Sequence, residues 1–289
     1  MPTIERADGA LIHYETHGSG FPVLLLAPGG ANSLAESWES NFYDPVREFA
    51  AGFRVITADQ RHTGGSTGPL APFSYAEAAA DQLAVLDELG MEAAHVVAVG
   101  SGAALALRLA YEAPERVASL VVQAPVGRDT TNTLGTFFGP FDEAMRLARA
   151  ESLEGVIEAA ARDGLFDRNP GAGPFAQRLH DDDAFRDEVR ALRRERYVAA
   201  LVRFRDGVWP DGTPYFSVPQ DWPATCTAPL LVLPGGDAQH PEGVAKLLAA
   251  EAPRAQLLDP GYDAPENRAR TVELLTRFLT EHTPTREGR

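Results

Sequence analysis

The chain has 289 residues, a formal net charge of −15 and one cysteine. That length supports one domain with a sizeable insertion, and the charge opposes binding to nucleic acid or an anionic membrane, both of which attract positive potential. The lone Cys226 excludes an internal disulfide and, standing before a predicted strand, reads as a buried structural thiol.

The N-terminus lacks an apolar leader, and no apolar run approaches the roughly 18 residues of a spanning helix, so a cytoplasmic location is expected. Residues 3–6 and 11–16, joined by Asp8-Gly9, predict an antiparallel hairpin. Short apolar, β-rich runs follow at 23–27, 55–58, 96–99, 120–123, 230–233 and 255–258. They alternate with helical patterns over 75–89, 102–112, 241–251 and 266–282. Such alternation predicts an α/β fold, a mostly parallel sheet with helices on both faces. From 127 to 222 the strand signal disappears, and helices are expected over 142–150, 153–163 and 184–205. This segment reads as a helical lid inserted into a core made of 1–126 and 223–289, because the strand pattern resumes at Leu230. The arginines at 190, 193, 194 and 196 alternate with Glu188 and Glu195 as a solvated helix face would.

The most informative segment runs from His95 to Ala104, a buried strand turning sharply into a helix. In a G-x-S-x-G elbow the central residue sits in a strained turn, exposed above the sheet. Centring the motif on Ser101 puts Val99 where a small residue is wanted; centring it on Gly100 puts Ala98 and Gly102 there. What decides is that Ala104 to Ala110, followed by Pro114 to Val117, resembles the helix after the elbow in α/β-hydrolases; counting back from it selects the second frame, which leaves glycine at the nucleophile position.

These segments together resemble the α/β-hydrolase family. Leu24 to Gly30 looks like the loop that supplies an oxyanion-hole amide. Asp59 to Ser66 is similar to the family's D-x-R-G-x-G-x-S segment, with His62 in place of a small residue. Leu233 to Pro241 resembles the loop carrying the triad acid, here Asp237. The base is expected after the last strand, where the chain reads Gly261-Tyr262-Asp263. By this resemblance two of three triad positions, Gly100 and Tyr262, are replaced.

An acyl-enzyme needs a nucleophile and a base, so an ordinary serine esterase is not expected. The candidate acid/base groups are His240, three residues after Asp237; Asp237 itself; Tyr262 as a weak acid or hydrogen-bond donor; and Ser101, a nucleophile in the other frame but more plausibly a helix cap. Gly100 with the Gly30, Ala31 and Ser101 amides would form an oxyanion pocket, while Asn32 and Trp38 would line its mouth. No spacing links the histidines as metal ligands, and no cofactor is expected.

The leading expectation is non-covalent acid/base chemistry, an elimination, decarboxylation or cyclisation, on a carbonyl- or carboxylate-bearing small molecule. Aromatic residues of the predicted lid, from Phe137 to Phe216, suggest that it is apolar or aromatic. A place in specialised biosynthesis is what the resemblance implies for such a divergent member. The alternatives are a hydrolase using activated water or Ser101, and a non-catalytic ligand-binding protein. A homo-oligomer is left open. Gly100→Ser alone is expected not to yield an efficient esterase, because Tyr262 cannot take the proton, unless another base stands nearby.

Overall fold

The computed structural model describes residues 2–27 and 35–285, with the side chains of 35, 39, 40 and 151 excepted. The N-terminal hairpin forms as its Asp8-Gly9 turn dictates: β1 (Thr3–Glu5) pairs antiparallel with β2 (Leu11–Gly18), Ile4 opposite Ile12. β2 pairs antiparallel in turn with β4 (Phe53–Ala58), and every later pairing is parallel. The parallel strands are β3 (Phe21–Leu26), β4, β5 (Ala94–Val99), β6 (Val117–Gln123), β7 (Leu230–Leu233) and β8 (Ala255–Leu257). The eight strands lie in the order 1-2-4-3-5-6-7-8. All six residues of β5 and all four of β7 are buried, as strands covered on both faces require.

Helices on the two faces complete the layers: α1 (Pro45–Phe49), α2 (Tyr75–Glu88), α3 (Ser101–Glu112), α8 (Glu242–Glu251) and α9 (Arg268–Glu281). Ser74 starts α2 by accepting a hydrogen bond from the Glu77 amide. Between β6 and β7 the described residues are helical: α4 (Gly135–Arg162), α5 (Ala176–Asp181), α6 (Asp183–Ala191) and α7 (Arg194–Val208). α4 breaks at Ser152, between the two helices expected there.

The single helix expected over 184–205 is instead two, because Leu192 and Arg193 are extended. Phe185 and Tyr197 are both buried in the same apolar cluster. Twelve residues of continuous helix would turn them about 120° apart, so the break is what lets both face inward. The aromatic residues of this region also differ from expectation. Phe141, Phe166, Phe175, Tyr197 and Phe204 are buried in that cluster, and Phe137, Tyr215 and Phe216 in the core of the sheet. They pack against one another, Phe175 on Phe204 at 5.2 Å for instance, and so give no support to an aromatic substrate.

Among the described residues no helix is long and apolar enough to cross a membrane. Cys226 is buried, and burial pushes its thiol up. The segment 59–66 is structural: Asp59 accepts from the Gly65 amide and pairs with His13, while Arg61 forms ion pairs with Asp81 and Asp8. His62 is buried against Phe175, and burial together with Arg178 and Arg61 pushes its imidazole down to about 3.

His95, fully buried in β5 between Ser119 and Thr283, is pushed down to about 4 by burial and by His282. Its ordinary value is 6.5, so between these pH values the unfolded chain holds the extra proton. Stability present above pH 6.5 is therefore lost as pH falls towards 4, by about 2 kcal/mol from this residue at pH 5. Denaturant unfolding of His95→Asn from pH 7 to pH 5 should show a correspondingly shallower loss than the parent chain. An unchanged slope would remove His95 from the acid response.

Candidate active site

Strand order brings three loops together above the carboxyl ends of β5, β6 and β7. Strands lie about 4.8 Å apart, so the loop after β7 starts roughly 10 Å from that after β5, and the loop after β8 about 14 Å away. The chain turns after Val99: Gly100, at φ 58° and ψ −124°, is the residue on which β5 becomes α3. Its amide donates to the Gln123 carbonyl at 3.0 Å, which ties the turn to the end of β6. At Gly102 a side chain is impossible, since a Cβ would lie 2.4 Å from the Leu26 carbonyl. The close approach thus falls two residues after Gly100. Ser101 is the first residue of α3 rather than its cap, which is Gly100 and offers no side-chain bond; the capping role expected for Ser101 is not found. In the first turn, the Ser101 and Gly102 amides have no acceptor within the helix.

The loop after β7 folds tightly because Asp237 accepts the backbone amides of Gln239 and His240, at 2.8 and 2.9 Å. Gly235 allows it, for a Cβ there would lie 2.3 Å from the His240 carbonyl. The turn returns the His240 ring to its own carboxylate, with Nδ1 2.9 Å from both oxygens of Asp237. Burial of Asp237 works against its charge, yet the His240 and backbone hydrogen bonds outweigh it and hold the carboxyl below the ordinary value. An ionised carboxylate only accepts, so Nδ1 carries a proton, and in the neutral ring it is Nε2 that holds the lone pair. That Nε2 lies 3.3 Å from the place where a Cβ on Gly100 would be. No other atom of the described residues beyond the chain neighbours is recorded within 4 Å of that point, apart from Cδ2 of the same ring.

The structure therefore brings Gly100, Asp237 and His240 together. Tyr262 lies apart: its ring is buried, edge-on to Phe42 at 5.6 Å, and its backbone carbonyl accepts from the Thr271 hydroxyl at 2.8 Å. Burial and Asp263 push the phenol above its ordinary value, so at neutral pH it can donate but not accept as a phenolate. Gln123 exchanges hydrogen bonds with Asn41, at 3.0 and 3.4 Å. Trp38 does not line a mouth; it is 1% exposed and packed in the apolar cluster that holds Tyr262. Gly30, Ala31 and Asn32 lie outside the described residues. Sequence reasoning missed Asn41, Gln123 and Asn132, which carry no motif. For Gly100→Ser, which was expected to lack a base in Tyr262, His240 Nε2 is the group that lies nearest the new side chain among the described residues beyond the chain neighbours.

The model of the alpha/beta hydrolase fold family matches residues 22–177, more than half of the chain. The chain belongs to the α/β-hydrolase family. Over 104 residues it is 44% identical to the rhodomycin D methylesterase DnrP of Streptomyces peucetius, covering 35% of this chain and 34% of that protein. It is 36% identical over 121 residues to the 2-hydroxy-6-oxo-6-phenylhexa-2,4-dienoate hydrolase of Comamonas testosteroni, covering 40% of this chain and 41% of that one. These alignments span less than half the length of either relative. The fold is similar to a thermophilic esterase from Thermogutta terrifontis, with TM-score 0.64, 20% identity and coverage of 98% and 100% of the two chains. As an α/β-hydrolase the chain has enzymes named hydrolases and esterases among its relatives.

Proposed function

We propose that this α/β-hydrolase cleaves a carbonyl-bearing small molecule with a water activated by His240 over Gly100, without a covalent acyl-enzyme. One observation carries the reading: the His240 Nε2, 3.3 Å from the Cβ position of residue 100, faces the place where a nucleophilic side chain would stand. A water there would give its proton to Nε2 as its oxygen attacks the carbonyl carbon. Asp237, on Nδ1, orients the ring and stabilises the imidazolium that forms. The Ser101 amide, at the positive end of α3, would hold the developing oxyanion, with Gly30 and Ala31 as its second donors by family resemblance. The imidazolium would then protonate the leaving group as the tetrahedral intermediate collapses.

The hydrolase and esterase names of the relatives support hydrolysis over elimination or cyclisation. The similarity to a protein named as a rhodomycin D methylesterase supports an ester as the carbonyl compound. A second reading has one observation in its favour. Apart from Val99 and Ser101, only the His240 ring of the described residues comes within 4 Å of the Cβ position of residue 100, so a substrate C–H or O–H could take the place of water and be deprotonated directly.

A single turnover in ¹⁸O-labelled water, read by mass spectrometry of product and intact protein, separates these readings. Hydrolysis by activated water puts one ¹⁸O in the acid product and leaves no adduct on the protein. Turnover without ¹⁸O supports direct deprotonation, and an acyl adduct on Ser101 overturns both.

A further inference from the structure

The Asp237–His240 pair sits on an exposed loop, Asp237 with 68% of its side chain accessible, so its own ion pair cannot hold it rigidly. Something else must fix the turn if Nε2 is to keep its place over Gly100. The segment after β6 does so. The Asn132 side chain donates through Nδ2 to the Ala238 carbonyl at 2.8 Å and to the Gly127 carbonyl at 2.9 Å, and accepts the Asp129 amide on Oδ1 at 3.3 Å. Ala238 lies between Asp237 and His240, so the bond lands inside the turn that aims the ring. A second strut runs from the Gly127 amide to the Gln239 carbonyl at 3.2 Å.

We infer that Asn132 is a positioning residue for the Asp237–His240 pair. Both its functional groups are used, and only a carboxamide satisfies two carbonyl acceptors and an amide donor at once. Asn132→Asp keeps the size but sets an acceptor against two carbonyls. Asn132→Ala leaves the Ala238 and Gly127 carbonyls without this partner. Either change frees the loop at the point where an ångström decides whether Nε2 reaches its target. Because Asn132 stands three residues before α4, the bond also ties the start of the helical segment to the pair. The inference rests on the proposed role of His240 for its catalytic consequence, while the anchoring itself does not.

Proton NMR of the whole protein tests it. The low-field resonance of the His240 Nδ1 proton, identified by its loss in His240→Ala, reports the bond to Asp237 without any substrate. In Asn132→Ala and Asn132→Asp this signal should broaden or vanish through faster exchange with water, with far-ultraviolet circular dichroism unchanged. Thr131→Ala is the control: it removes the neighbouring hydroxyl bond to Asp129, which does not reach the loop of the pair, and should leave the signal intact. On a hydrolysed substrate, the Asn132 variants should lose about tenfold to a hundredfold in kcat with KM little changed. A signal equally sharp in all variants, or equally lost in Thr131→Ala, overturns the inference. If the signal responds as expected but His240→Ala leaves turnover intact, the anchor stands and the catalytic reading fails.

Discussion

Gly100→Ser is expected to convert the chain into a covalent esterase, releasing a burst of about one product equivalent per protein from an activated ester such as p-nitrophenyl acetate. The Nε2 lone pair is already 3.3 Å from the new Cβ, so a hydroxyl one bond further out can turn into hydrogen-bonding reach. Asp237 already holds the ring in the tautomer that accepts the proton. The Ser101 and Gly102 amides, without acceptors inside the helix, would be available to the oxyanion. A side chain at φ 58° carries strain on the order of 1–3 kcal/mol, so the variant should also melt at a lower temperature than the parent. Acylation should exceed that of the Gly100→Ser/His240→Ala double variant by about 10²- to 10⁴-fold. A slow, burst-free reaction unaffected by His240 would mean that the imidazole does not serve residue 100.

His240→Ala in the otherwise natural chain is expected to lower turnover by about 10²- to 10⁴-fold, the usual contribution of a positioned general base. The loss would not be one of folding. Asp237 is mostly exposed, and an exposed pair contributes no more than about 1 kcal/mol, so thermal unfolding should barely shift. Asp237→Asn should fall between the parent and His240→Ala, because an amide can present its N–H to Nδ1 and favour the wrong tautomer. Tyr262→Phe should stay within several-fold of the parent, because the ring packs in an apolar cluster apart from the Asp237–His240 pair. Parallel steady-state rates and melting curves for the three variants check this ordering. A Tyr262→Phe loss larger than that of His240→Ala would return the acid/base role to the phenol.

The inner strands were legible because they are continuous apolar runs buried on both faces, and the parallel order followed from their alternation with helices. Helix boundaries between β6 and β7 were less so. The bend at Leu192 comes from the shared burial of Phe185 and Tyr197, a tertiary demand that leaves no local mark in an Arg/Glu-rich stretch. At the site, Gly100 and Asp237 could be placed by motif, and His240 by its distance of three residues from Asp237. What spacing could not give was direction. Only the β5-β6-β7 order shows that the loop after β7 reaches over Gly100 more readily than the loop bearing Tyr262. Aromatic content left the substrate class open for a related reason, since composition does not distinguish side chains that fill a core from those that line a pocket.

The most direct test of the account is the intact mass of Gly100→Ser, with and without His240, quenched within the first turnover of an activated ester. An acyl adduct on Ser at position 100 should form rapidly when His240 is present and be almost absent in Gly100→Ser/His240→Ala. Equal adduct in both proteins, or none in either while both stay folded, would contradict a His240 base aimed at the space above Gly100.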